Sequence, residues 1–117
     1  GYITMNTIEQ KIFKAKEVQE LTNITFRQLD TWVTSGAITN KSLGSGYKRQ
    51  YDINNIFEIY VVRECYSLGL KLEVARAFID HINEYAIIDN KTTLRFGALT
   101  ITLDFTEIHE ILKEVNG

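Results

Sequence analysis

The sequence predicts a mainly helical fold with two small antiparallel strand pairs. Three observations lead there. Apolar residues recur at helical spacing, as in Phe26, Leu29, Trp32 and Val33, and again in Ala75, Phe78, Ile79, Ile82, Tyr85 and Ala86. Asn23, Gly36 and Gly69 punctuate these runs where a helix has to stop. Around Gly97-Ala98 the period changes: Leu94 and Phe96, then Leu99, Ile101 and Leu103, alternate as in a strand.

Each element has a local cause. Residues 16–21 read as a short helix with Val18 and Leu21 turned inward. Asn23 accepts the left-handed backbone that a tight turn needs, and Ile24 can plug the corner beneath it. Thr25 is a good N-cap for a second helix, with Gln28 in the capping-box position three residues on. Gly36 ends that helix. Two helices joined by so short a turn form a helix-turn-helix unit. The second one presents Thr25, Arg27, Gln28 and Thr31 outward, all hydrogen-bonding types that suit base edges and phosphates in a major groove. The alternative is a solvated face used for protein contacts.

Residues 38–51 have a different texture. Ala37-Ile38-Thr39 and Tyr47-Lys48-Arg49-Gln50-Tyr51 flank a turn-forming tip, Ser42-Leu43-Gly44-Ser45-Gly46. This predicts a two-stranded wing with basic residues on its returning strand. A thin basic loop can follow a phosphate backbone or enter a narrow groove, which makes Tyr47, Lys48 and Arg49 candidates for DNA contact. Lys16, at the start of the first helix, joins that set. Arg49 also fits a partly structural role, and Trp32 fits either stacking near the DNA or core packing.

Asp52 can cap a third helix running to Leu68, with Ile56, Ile59, Tyr60 and Cys65 inward. Gly69 ends it, and a fourth helix starts at Lys71 or Leu72. Beyond it, Gly97-Ala98 suits a two-residue hairpin turn with glycine first. Asp104-Phe105-Thr106-Glu107 opens a last helix. Phe105, Ile108, Ile111, Leu112 and Val115 form a wide apolar stripe on it. A stripe on so short a helix must be buried. The expectation is a homodimer formed through residues 92–116, with a self-contained cap on a monomer as the alternative.

Composition narrows the class. The hydrophobic share of 44% and charged share of 24% are those of an ordinary globular protein, and 117 residues fit one modest core. No apolar run approaches a membrane span and no signal-peptide pattern is present, so a cytoplasmic protein is expected. Cys65 is the lone cysteine, which excludes an internal disulfide and reads best as a small buried hydrophobe. His81 and His109 lie far apart with no ligand-spaced partner, so no metal or other cofactor is expected. Gly44-Ser45-Gly46 lacks the lysine and following helix of a phosphate-binding loop. No nucleophile, base and acid arrangement points to an enzyme.

The net charge of −2 is polarised along the chain. Residues 11–71 hold nine Lys and Arg against six Asp and Glu, whereas residues 72–117 hold four against eight. The first part can face phosphates while the last faces solvent or a partner.

Four motifs in order resemble the winged-helix DNA-binding domain of the MerR family of bacterial regulators. Asn23-Ile24-Thr25-Phe26-Arg27-Gln28-Leu29 is similar to that family's Gly-Val-Ser-x-Arg-Thr-Leu turn. Gly36-Ala37-Ile38 is similar to the Gly-Leu-Leu that leads into the wing, and Arg49-Gln50-Tyr51-Asp52 to the Arg-x-Tyr-Ser/Asp that closes it. Gly69-Leu70-Lys71-Leu72-Glu73 resembles the Gly-Phe-Ser-Leu-Glu bend between the last two helices. The resemblance covers roughly residues 13–82.

Departures stand beside it. Gln19 takes the place of a small residue, and Asp30 stands where an arginine often contacts the DNA backbone. The wing is one residue longer, and a hairpin with a short helix replaces the family's long dimerising helix.

The resemblance implies a mainly α, winged helix-turn-helix (MerR-like) fold over residues 11–88. A C-terminal β-hairpin and short helix over residues 89–117 serve dimerisation or capping. It implies a sequence-specific transcriptional regulator that binds double-stranded DNA as a homodimer, without catalysis. Two rivals remain: a DNA-architectural factor, excisionase-like or chromosome-anchoring, and a winged-helix protein-interaction module that has lost DNA binding.

Overall fold

A computed structural model describes residues 11–40, 46–85 and 90–116, with the backbone alone for residues 47, 84, 85 and 116. In chain order the elements are β1 (Phe13–Lys14), α1 (Ala15–Thr22), α2 (Phe26–Thr34), a 3-10 turn (Gly46–Lys48), β2 (Gln50–Tyr51), α3 (Ile53–Ser67), α4 (Leu72–Tyr85), β3 (Lys91–Phe96), β4 (Leu99–Asp104) and α5 (Thr106–Asn116).

The helix-turn-helix forms as its residues dictate. Asn23 sits in the left-handed region at φ 55, and its N–H caps the Gln19 carbonyl. Ile24 is buried below it. The capping box is closed in both directions: the Gln28 N–H donates to Thr25 Oγ1 at 3.0 Å, and the Thr25 N–H donates to Gln28 Oε1 at 2.9 Å. Gly36 follows the helix at φ 83, where any side chain would be strained.

The wing differs from expectation. Among the described residues, β2 pairs not with residues 37–39 but with β1, in the register Phe13↔Tyr51 and Lys14↔Gln50. The reason lies in α3. Thr39 donates its N–H to the Glu58 carboxylate at 3.1 Å, and its carbonyl accepts from the Asn55 amide. Ile38 donates to the Trp32 carbonyl. With those backbone groups taken by helix side chains and a turn, no ladder can form there. Of the expected tip, Ser42-Leu43-Gly44-Ser45-Gly46, residues 42–45 lie outside the described residues, and Gly46 opens the 3-10 turn.

α3 is the centre of the fold. Ile53, Ile56, Phe57, Ile59, Tyr60, Val61, Val62 and Cys65 are all buried, so it packs on several sides at once rather than along one stripe. α4 covers one side through Ala75, Phe78, Ile79 and Ile82. The β3–β4 hairpin turns at Gly97, φ 62, and lays Phe96 against Phe78 with ring centroids 6.0 Å apart.

The C-terminal helix corrects a second expectation. Phe105, Ile108 and Leu112 do not wait for another chain; they are buried in the chain's own core. Phe105 packs between Phe57 and Tyr60, at centroid distances of 6.3 and 6.0 Å. Only Ile111 and Val115 of the stripe stay half-buried. Arg63 locks the arrangement, with its guanidinium donating to the Thr22 carbonyl at the end of α1 and to Glu107 of α5, at 2.8 and 3.0 Å. The α5 start also differs: the Asp104 carboxylate accepts from the Thr106 N–H at 2.8 Å, one residue earlier than a capping box would place it.

Candidate nucleic-acid interface

The outward face of α2 carries Arg27, Thr31 and Thr34, one above another at helical spacing and all exposed. Thr25 is exposed at its N-cap. Gln28 is half-buried, and its carbonyl oxygen is spent on the capping box. Its amide is the part left for a ligand. Arg27 has no acidic partner among the described residues, so its charge is available. Thr34, which the sequence reading passed over, completes the row.

Arg49 is placed differently from a free phosphate contact. Its guanidinium pairs with Asp30 of α2 at 2.5 Å, with the arginine side chain only 11% exposed and the aspartate 41%. The hydrogen bond to Asp30 raises the Arg49 pKa further, and the Tyr51 hydroxyl lies beside the pair. The phenol of Tyr51 is raised chiefly by burial, with Arg49 opposing. Asp30 is thus a strut from α2 to the wing. Gly46 lies near the Phe26 ring, since a Cβ built there would stand 4.0 Å from it. The wing base and α2 are held as one unit.

Three exposed lysines lie on the elements beside this unit, together with exposed Glu17 and Glu20 of α1. Lys48 is exposed in the 46–48 turn, against which α1 packs, and Lys16 is exposed on α1. Lys14, also missed by the sequence reading, is exposed and sits opposite Gln50 in the β1–β2 ladder. The spacing Lys11, Lys14, Lys16 was a visible signal, but only the ladder shows that it flanks the wing. Tyr47 lies in the 46–48 turn, and its side chain is outside the described residues. Trp32 is core: it is 8% exposed and meets Tyr66 edge-on at 5.8 Å.

Behind the wing lies a buried polar network. Glu58, 4% exposed, accepts from Thr39 and from Asn55, with Arg76 near enough to attract it. Burial still wins and raises the Glu58 pKa. Arg76 itself donates to the Ala37 carbonyl at 3.1 Å. These bonds fix the chain as it leaves α2 toward the wing.

The family model of the MerR HTH family regulatory proteins matches residues 13–82, the segment that holds this face. The chain belongs to that family. Similar proteins include HTH-type transcriptional regulators of Mycobacterium bovis and of two strains of Mycobacterium tuberculosis. Each is 23% identical over 108 residues, covering 90% of this chain. The chain spans about half the length of those relatives, 48%. The matched segment takes in the helix-turn-helix, the wing base and the α3–α4 bend, and with them the Asp30–Arg49 pair. Among the described residues no helix is long and apolar enough to cross a membrane, and no group of acidic, histidine or cysteine side chains is arranged to hold a metal.

Proposed function

We propose that the protein is a MerR-type transcriptional regulator that binds double-stranded DNA sequence-specifically, as a homodimer and without catalysis, on the nucleoid in the cytoplasm. The observation that carries this reading is the exposed row Arg27, Thr31 and Thr34 on α2, with exposed Lys14, Lys16 and Lys48 on the nearby β1, α1 and wing turn. A helix of this kind enters a major groove, where arginine grips guanine or phosphate and threonine meets base edges or a thymine methyl. The lysines neutralise phosphates on either side and set the register of the helix. The Asp30–Arg49 strut holds helix and wing in one geometry, so less ordering remains to be done on binding.

One observation favours the protein-interaction reading. Arg49 is neutralised by Asp30, which removes one cation from the wing. Selection of bound sequences from random duplex DNA, followed by titration at increasing salt, separates the two. DNA recognition gives an enriched motif and affinity that falls steeply between about 50 and 200 mM salt. An unenriched pool with salt-insensitive binding overturns the proposal.

A further inference from the structure

We propose that the outer edge of β4 is an interface with a second copy of this chain, the two β4 strands pairing antiparallel about a two-fold axis at Ile101. The inference rests on the two-copy part of the reading above and names where the copies meet.

The edge is open for a reason legible in the ladder. β3 and β4 pair as Phe96↔Leu99, Leu94↔Ile101 and Thr92↔Leu103, and the Phe105 N–H continues the pattern to the Asn90 carbonyl at 2.7 Å. In such a ladder alternate residues spend their backbone groups on the partner strand. Leu99, Ile101, Leu103 and Phe105 therefore face β3, and Thr100, Thr102 and Asp104 turn theirs outward. The Tyr60 hydroxyl donates to the outward carbonyl of Asp104 at 2.8 Å. The outward groups of Thr100 and Thr102 have no backbone partner among the described residues.

Charge protects one edge of the hairpin and not the other. β3 carries Lys91 and Arg95 on its exposed face. The run Leu99-Thr100-Ile101-Thr102-Leu103 has no charge, no proline and no glycine, which makes a ready template for another strand.

A second β4 is the strand that fits. About a two-fold axis at Ile101, Thr100 bonds the partner's Thr102 and Thr102 bonds the partner's Thr100, so every outward group of both residues is used. Leu99, 67% exposed in the single chain, then lies across from the partner's Leu103, and the apolar row Leu99, Ile101, Leu103 becomes continuous across the axis. Space exists for the incoming hairpin tip. A cleft of about 550 Å³ opens between β4 and α3, lined by Tyr60, Glu64, Leu68, Leu103, Asp104 and Glu107. Leu68, 75% exposed, stands at its wall. The rim carries Glu64, Asp104 and Glu107, of which Glu64 and Glu107 already pair with Arg63. Asp104 is the carboxylate left for the entering hairpin's Arg95, whose guanidinium is held against the Gly97 carbonyl at 2.9 Å. Shape, backbone pairing and charge thus agree on one occupant.

The test uses the protein without DNA, so failure of the DNA reading cannot affect it. Sedimentation at micromolar concentration should give a dimer. Ile101→Cys places two thiols on the axis at a non-hydrogen-bonded pair, where Cα atoms approach to about 4.5 Å, within disulfide range. Oxidation should link the two chains, while buried Cys65 takes no part. Thr102→Pro removes an outward N–H that the β3–β4 ladder does not use, and should give a folded monomer by circular dichroism and sedimentation. Leu99→Lys, at an exposed position where misfolding is no concern, should raise the dimer dissociation constant tenfold or more. A dimer that neither cross-links through Ile101→Cys nor responds to Thr102→Pro and Leu99→Lys overturns the β4 interface but leaves the homodimer standing. A monomeric parent overturns both.

Discussion

Two neighbouring side chains on α2 have different duties. Arg27 is exposed and has no acidic partner among the described residues, so it spends nothing on the fold. Gln28 closes the capping box. Arg27→Ala should therefore weaken binding to the selected duplex by about 1–3 kcal/mol and leave the denaturant midpoint unchanged. Gln28→Ala should lower stability by about 0.5–1 kcal/mol through the lost hydrogen bonds, with or without an affinity change. Equal stability for both variants would mean that the box contributes nothing.

Glu58 gives a pH prediction. Burial raises its folded-state pKa above the ordinary 4.5, so the folded chain favours the protonated form. That contribution is fully present below about pH 4.5 and is lost as pH rises through the raised value. Glu58→Gln keeps an acceptor for Thr39 and removes the titration. The parent's stability relative to the variant should fall as pH rises through that window, read from denaturant midpoints. Parallel curves would place Glu58 at its ordinary pKa.

At the scale of elements, the strut and the C-terminal helix show what a sequence can and cannot disclose. The Thr25–Gln28 box, the Asn23 turn and the Gly97 hairpin were legible because each is set by residues within a few positions of one another. The Asp30–Arg49 pair was not, because its members lie nineteen residues apart and meet only once the wing folds back on α2. Read alone, Asp30 looks like a lost phosphate contact. Asp30→Ala should cost only about 1 kcal/mol of stability, since the aspartate is partly exposed and solvent screens the pair. It should nonetheless loosen the wing, which faster hydrogen exchange at residues 46–51 would report. Asp30→Arg would set two guanidiniums against each other and should weaken DNA binding rather than strengthen it.

The apolar stripe on α5 was equally legible, but not its destination, because a periodic pattern says that a face is buried and not by which chain. Phe57 and Tyr60 supply the answer. Ile108→Asp should accordingly destabilise the fold by on the order of 3–5 kcal/mol, as an unpaired charge in a core does. Val115→Asp, at a half-buried position, should cost far less. Similar thermal midpoints for the two variants would contradict this packing.

For the whole molecule, the informative quantity is where charge lies rather than its sum. A net −2 protein binds duplex DNA only if its cations face the phosphates and its carboxylates do not. Exposed Lys14 of β1, Lys16 of α1 and Lys48 of the wing turn lie on elements that pack near α2, though Glu17 and Glu20 of α1 are exposed there as well. Asp104, Glu107 and Glu110 sit on β4 and α5 at the other end of the chain. The β1–β2 ladder sets Lys14 opposite Gln50, near the wing turn that carries Lys48, so the two lysines should act on neighbouring phosphates. Replacing either by alanine should weaken binding to selected and random duplex alike and make the salt dependence shallower by about one phosphate contact. Replacing both should remove about two. Because the two lysines make no ion pair among the described residues, the loss should come without a change in stability. The measurement is the slope of log affinity against log salt for the parent, the two single variants and the double variant. A slope unchanged in the double variant would move the phosphate contacts off this face, and loss confined to a single base position would make these lysines readers of sequence instead.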